Sequence, residues 1–260
     1  MSYPNFSVAE IKLILEQVEC FQDSRLEEFA QDPRLSVQKE LDKARHRLQK
    51  YASLIVKYQE MSVFENQAIS NGYHLIAGID EVGRGSLAGP VLAAAVILPK
   101  GLRILGLDDS KKLSKKRREE LSEFILKEAQ GVGIGMVEPN VIDEINIYEA
   151  SKKAMIFAIN HLPIAPDFLL IDAMKLVHDL PQKNLIKGDT RSVSIAAASV
   201  VAKVTRDKIM ENYAKKYPEY GFERHSGYGT KKHLEALTKY GVSSIHRKTF
   251  APVRARVGLV

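Results

Sequence analysis

The sequence predicts an α/β domain, a mixed sheet with helices on its faces, behind a helical leading segment. Two short apolar runs, "YHLIAGID" and "VLAAAVILP", flank a Gly-rich turn, as adjacent strands do. Further along, apolar runs of strand length alternate with stretches of helical period, the order that lays helices on a sheet. Residues 1–70 have the helical period alone.

The elements follow in order. Ser7 and Glu10 form an S-x-x-E capping box ahead of "IKLILEQVECF". After a break at "QDPR", Leu41, Ala44, Leu48, Tyr51, Ile55 and Tyr58 recur at steps of three and four, the seam of a long helix packed on another helix. This extension is expected to span 1–70, with the main domain at 71–260. After the first two strands, "KKRREELSEFILKEA" reads as a helix capped by Ser114, "GVGIGMVEP" as a third strand and "IYEASKKAMIFAINHL" as a helix. "DFLLIDA" and "NLIKGD" read as strands ending near Asp172 and Asp189. "SVSIAAASVVAKVTRDKIMENYAKKY" is a long helix whose small apolar residues suit close packing on the sheet. "KKHLEALTKY" is a last helix, running from Thr230 to Gly241.

Composition narrows the function classes. Of 260 residues, 45% are hydrophobic and 27% charged, a globular balance. The net charge of +6 is uneven. Residues 1–70 hold 9 basic and 11 acidic side chains, which leaves 29 and 21 for the remainder. If a polyanion binds, it is therefore expected on the main domain; composition alone does not separate a nucleic-acid protein from an ordinary basic enzyme. The single cysteine, Cys20, excludes an internal disulfide and suits a reducing compartment. The apolar runs are too short to span a bilayer, and the N-terminus has no signal-peptide pattern. A cytoplasmic protein with no membrane partner is expected.

Four acids stand where apolar runs end: Asp80 and Glu81, Asp172, and Asp189. Carboxylates are rarely buried unless paired or metal-bound. Asp189 could equally serve the turn into the next helix, and Asp172 could be a plain strand-end acid. The adjacent pair asks for a counter-charge more strongly, because like charges repel. Converging, such acids suit Mg²⁺ or Mn²⁺, and two ions about 4 Å apart serve phosphodiester cleavage. No Cys or His cluster in the sequence competes for a softer metal. Side chains alternate across a strand, so Asp80 and Glu81 are expected to share a metal only if the strand ends between them. Gly83 and Gly85 make that turn plausible.

Basic residues point the same way. Lys111, Lys112, Lys115, Lys116, Arg117 and Arg118 lie at or before a helix start, where cations oppose the helix dipole unless an anion is near; the adjacent acids offer an ordinary balance. Ser192, Ser199, Lys203 and Arg206 share one helix stripe. Tyr228, between two glycines in "RHSGYGTKKH", is placed to stack on a base or sugar.

Taken together, "GIDEVGRGSLAGPV", "LDDSKKLS", "LLIDAMKL", "KGDTRSVSIAAASVVAKVTRD", "HSGYGTKKH" and "HRKTFAPV" resemble, in that order, the bacterial type 2 ribonucleases H, ribonuclease HII. The resemblance covers roughly residues 73–253. Its Gly-Arg-Gly favours this group over the related ribonuclease HIII enzymes. It implies a ribonuclease H-like fold, a five-stranded mixed sheet flanked by helices with a helical C-terminal part. It implies cleavage of RNA in RNA–DNA hybrids, and on the 5′ side of single ribonucleotides in duplex DNA, leaving 3′-hydroxyl and 5′-phosphate ends. By the same resemblance Asp80, Glu81, Asp172 and Asp189 bind two metal ions, Mg²⁺ or Mn²⁺. Gly83, Arg84 and Gly85 contact the 2′-hydroxyl and nearby phosphates, and Tyr228 stacks on the junction sugar. Lys111, Lys112 and Ser192 hold phosphates, and the enzyme is expected to be a monomer. No function transfers to residues 1–70. The competing readings are a ribonuclease H-like nuclease for DNA junctions, which the Gly-Arg-Gly and Tyr228 disfavour, and a non-catalytic binding domain, which would lack one of the acids.

Overall fold

The structure is a computed structural model and describes residues 6–257. It divides into two compact units, Met1–Gln59 and Glu60–Val260. The division falls before residue 70, so the last short helix of the leading segment belongs to the second unit.

The first unit is helical. α1 (Val8–Glu16) starts with the expected box: Glu10 N–H donates to Ser7 Oγ at 3.3 Å, and Ser7 N–H donates to Glu10 Oε2 at 2.8 Å. α2 (Ser24–Ala30) is capped by Asp23, and α3 (Leu35–Met61) runs for 27 residues out of the unit. Ile11, Leu15, Leu26 and Phe29 pack on Leu41, Ala44 and Leu48. The predicted seam is buried only in this first half, and Tyr51 is exposed. The reason is length: at about 1.5 Å per residue, α1 and α2 are too short to cover α3.

In the second unit, α4 (Val63–Ser70) leads to β1 (Ile76–Val82) and β2 (Val91–Ile97). Then come α5 (Lys115–Glu128), β3 (Gly131–Val137), α6 (Pro139–Asn160), β4 (Phe168–Asp172) and β5 (Gln182–Leu185). α7 (Val193–Lys216) follows a single 3₁₀ turn at Gly188–Thr190, and α8 (Phe222–His225), α9 (Lys231–Tyr240) and α10 (Ala251–Arg254) complete the chain. The sheet is five-stranded, in the order β3-β2-β1-β4-β5. β1, β2 and β3 pair antiparallel, while β4 pairs parallel with both β1 and β5. The mixed sheet expected from the sequence is therefore present.

One face of the sheet carries α6, through a core that includes Ala77, Ile79, Ala95, Ala154 and Ala158. α6 bends at Asn146, at φ 67°, whose side chain accepts from the N–H groups of Tyr148 and Glu149. The helix read from Ile147 onward is thus the second limb, with its own cap. The other face carries α7. A Cβ at Gly78 would stand 2.0 Å from the Ser194 carbonyl carbon, so only glycine lets α7 come this close. That contact runs α7 along β1 toward the end of the strand where the acids emerge.

Candidate active site

β1 delivers Asp80 and Glu81, and β4 delivers Asp172. Parallel pairing of the two strands runs to Ile79↔Ile171, so Asp80 and Asp172 lie one step past it, side by side. The expectation that β1 ends between its acids is not met. Its pairing with β2 continues through Asp80↔Ala94 and Glu81↔Ala93 to Val82↔Leu92. What ends there is the pairing with β4, and that opens an edge where the longer Glu81 side chain turns back toward Asp80. One carboxylate oxygen from each of Asp80, Glu81 and Asp172 lies within 4.8 Å of the others. Asp189, on the 3₁₀ turn after β5, is not in that close group. It lines the same cleft of about 570 Å³.

The charges there are held under strain. Asp80 is only 6% exposed. Burial pushes its carboxyl well above the usual range, the Glu81 and Asp172 charges push it further, and the Ser199 hydroxyl pulls it partly back. Burial raises Glu81, against the pull of Arg84, whose Nη1 donates to Oε1 at 3.2 Å. Asp172 is raised chiefly by burial too, although Gly188 N–H donates to its Oδ1 at 2.6 Å. Asp189 is raised by burial and then by Asp109, an acid that the sequence reading took only as a balance for the neighbouring lysines. Glu81 Oε2 is buried without a hydrogen-bond partner. Crowded hard oxygens, mutual repulsion and an orphaned carboxylate oxygen fit a divalent cation.

Around the acids stand Arg84, Lys111, Lys203, Ser110 and Ser199. Ser110 Oγ and Ser199 Oγ lie 3.1 Å apart. Lys203 Nζ is 2.6 Å from Asp207 Oδ1, which also accepts the Ser226 hydroxyl at 2.8 Å. Lys111 is in the cleft, but Lys112 is not among its lining residues and pairs with Asp108 at 3.5 Å. Ser192 is a correction. It is fully buried as the N-cap of α7, where its hydroxyl donates to Glu65 Oε1 at 2.5 Å and accepts from Ile195 N–H. It cannot touch a phosphate. Of its stripe, Ser199 and Lys203 reach the cleft, while Arg206 is buried beneath it.

Gly83, Arg84 and Gly85 form the adjoining wall, and Tyr228 closes it. Ser86 bridges to Tyr228, Leu87 N–H donates to the Gly227 carbonyl at 2.8 Å, and a Cβ on Gly85 would lie 3.8 Å from the Tyr228 ring. Gly83 has φ +91°, and a Cβ on it would stand 2.2 Å from Arg206 Nε. Two buried arginines brace this wall from behind. Arg206 donates to the carbonyls of Pro90, Ser226 and Ala88, and Arg247 to those of Gly89 and Arg84. Sequence reasoning gave Arg247 no role. The signal available was an arginine in a motif with no acid beside it.

Comparison with known proteins agrees with this geometry. A family model described as Ribonuclease HII matches residues 77–253, and one described as Ribonuclease HII N-terminal domain matches residues 7–69. Ribonuclease HII of Bacillus subtilis (strain 168) is 55% identical over 249 residues, 96% of this chain and 98% of that protein. Among solved structures, ribonuclease H2 from Pyrococcus horikoshii OT3 has a TM-score of 0.60 at 28% identity, covering 69% of this chain and 95% of that one. The fold is also that of Bst-RNase HIII, solved in complex with Mn²⁺: TM-score 0.57 at 18% identity, over 74% of this chain and 72% of that one. With its acids converging at the end of a ribonuclease H-like sheet, the chain belongs to the ribonuclease HII family of metal-dependent endoribonucleases, which act on RNA–DNA hybrids.

Proposed function

We propose that this cleft cuts the RNA strand of RNA–DNA hybrids and nicks duplex DNA on the 5′ side of a single embedded ribonucleotide, leaving 3′-hydroxyl and 5′-phosphate ends. The observation that carries the reading is the convergence of Asp80, Glu81 and Asp172 beside a wall made of Gly83–Gly85 and Tyr228. Asp80, Glu81, Asp172 and Asp189 would hold two ions, Mg²⁺ or Mn²⁺. Divalent ions held by these acids would supply Lewis acidity toward the attacking water and the leaving oxygen. The residues do the rest. Arg84, Lys111 and Lys203 attract the phosphate backbone, with Lys112 outside the cleft as a weaker contributor. The Gly83–Gly85 main chain, free of side-chain bulk at both glycines, tests for a 2′-hydroxyl, the group that separates RNA from DNA. The Tyr228 ring packs on the neighbouring sugar and favours a deoxyribose.

One chain carries all four acids and the reading wall, which supports action as a monomer. An exposed Cys20, and the absence among the described residues of any helix long and apolar enough to cross a membrane, support a cytoplasmic setting. Catalysis is assigned to the part expected at 71–260, and the helical extension is left without a catalytic role. The test is a nicking assay with Mg²⁺ or Mn²⁺ on a DNA duplex holding one ribonucleotide. A single nick on its 5′ side, with all-DNA duplex intact, is expected. No nick with either ion overturns the reading.

A further inference from the structure

Three of the seven histidines gather under the Tyr228 loop, and the reading above uses none of them. His225 and His233 stack with ring centres 4.7 Å apart, and His246 lies 5.2 Å beyond His233. His233 and His246 are fully enclosed.

Their proton positions follow from their neighbours. Ser243 N–H donates to His246 Nδ1 at 3.0 Å, and the Ser243 hydroxyl lies 2.7 Å from the same nitrogen. A ring nitrogen that accepts an amide proton carries none of its own, so neutral His246 has its proton on Nε2. That atom faces His233 Nε2 at 3.0 Å. Two N–H groups cannot face each other, so His246 donates and His233 accepts. His233 then carries its proton on Nδ1, which donates to the Tyr228 carbonyl at 3.0 Å. Each ring nitrogen is used in a single sense. A second proton on either ring would set N–H against N–H, in the same unit as two buried guanidiniums whose acceptors are main-chain carbonyls. Burial also favours the neutral rings.

His225 completes the hold. Gly227 N–H donates to its Nδ1 at 3.2 Å, and its Nε2 donates to the Tyr220 carbonyl at 2.9 Å. Histidines thus grip Gly227 at its N–H and Tyr228 at its carbonyl, which also accepts Thr230 N–H at 2.8 Å.

We infer that His246 and His233 form a proton-ordered relay from Ser243 to Tyr228 that fixes the main chain beneath the Tyr228 ring. They are positioning residues for the step in which that ring reads the sugar beside the cut. The inference rests on the role proposed for Tyr228.

Long-range ¹H–¹⁵N correlation on the full wild-type chain, labelled in its imidazoles, tests the relay directly. At His233 and His246, two neutral rings of opposite tautomer are expected near neutral pH, Nδ1–H at His233 and Nε2–H at His246. An imidazolium at either ring, or tautomers in exchange there, overturns the relay. The positioning role is read from two substrates. His233→Phe keeps an aromatic ring, somewhat larger, but breaks the relay. It should lose about fivefold to tenfold more activity on single-ribonucleotide duplex than on continuous hybrid, the scale of one hydrogen bond at a reading site. His233→Asn, whose amide can still donate to the Tyr228 carbonyl, should recover most of that difference. Equal losses on both substrates overturn the positioning role. If the wild type nicks nothing, the proposed function fails while the tautomer measurement still decides the relay.

Discussion

The Ser192 hydroxyl donates to Glu65 Oε1 at 2.5 Å, and Ser194 N–H donates to the same oxygen at 3.0 Å. A carboxylate from α4, near the end of the segment matched by the N-terminal family model, thereby caps the helix that carries Ser199 and Lys203 to the cleft. Glu65 is buried, and its Oε2 has no hydrogen-bond partner. Glu65→Ala leaves two donors at the head of α7 without this acceptor. It should cost about 2 kcal/mol, roughly 5 °C in a domain of this size. Burial raises the Glu65 carboxyl, so the folded chain holds its proton more tightly than the unfolded chain. Stability from this group is therefore lost as pH rises past the ordinary carboxylate range. Glu65→Gln, always neutral, should flatten that part of the melting-temperature profile above the ordinary carboxylate range. An unchanged profile would remove Glu65 as its source.

At Gly83, backbone and space both forbid a side chain. Its φ of +91° disfavours an L-residue, and Arg206 Nε occupies the place of a Cβ. Arg206 cannot retreat without giving up Pro90, Ser226 and Ala88 together. Gly83→Ala should therefore displace the reading wall and cut activity on single-ribonucleotide duplex by about a hundredfold or more. Gly85→Ala has only the Tyr228 ring in contact, at 3.8 Å, and should fold normally while losing discrimination between ribonucleotide and all-DNA substrates. Cleavage rates on matched duplexes, beside thermal melts, separate the two.

The acids are not equivalent. Asp80, Glu81 and Asp172 make one close group, and Asp189 stands outside it. Asp80→Asn should abolish cleavage and most Mn²⁺ binding while leaving substrate affinity largely intact. Asp189→Asn should keep measurable Mn²⁺ binding by the close group and lose mainly turnover. Titration calorimetry with Mn²⁺ on both variants checks this, and equal loss of binding would merge the four acids into one indivisible site.

Much of this site was legible because acids at the ends of apolar runs violate the rule that buried strands are apolar. That signal does not depend on tertiary detail, and it picked out Asp80, Glu81 and Asp172. The strand expected to end near Asp189 stops at Leu185, and Asp189 reaches the same cleft from the 3₁₀ turn that follows. The Ser192 stripe misled for a physical reason. Helical spacing gives direction about the axis but not depth, and a serine at the first turn serves the helix's own N–H groups before any ligand. Arg206 failed in the same way. The expected end of β1 between Asp80 and Glu81 failed because a strand has two edges: β2 keeps pairing where β4 stops. The histidine relay was out of reach, since its terminal partners, Ser243 N–H and the Tyr228 carbonyl, are main-chain groups that only the folded chain brings together.

The close acids tie stability to pH and to metal in a fixed direction. Burial and mutual repulsion raise Asp80, and burial raises Glu81 and Asp172. Each therefore binds its proton more tightly folded than unfolded, so without metal the group's contribution falls as pH rises above the ordinary carboxylate range. A divalent cation needs the deprotonated acids and neutralises them, so its binding releases protons and strengthens with pH. Added Mg²⁺ or Mn²⁺ should consequently raise the melting temperature more at about pH 8 than at about pH 5. Asp80→Asn removes one of the repelling charges. It should melt higher than the wild type without metal at the upper pH, and lose most of the metal-dependent gain. Melting curves of both proteins with and without Mg²⁺ at the two pH values decide it. A gain from metal that is independent of pH would mean that these carboxylates are already ionised, and relaxed, in the folded chain.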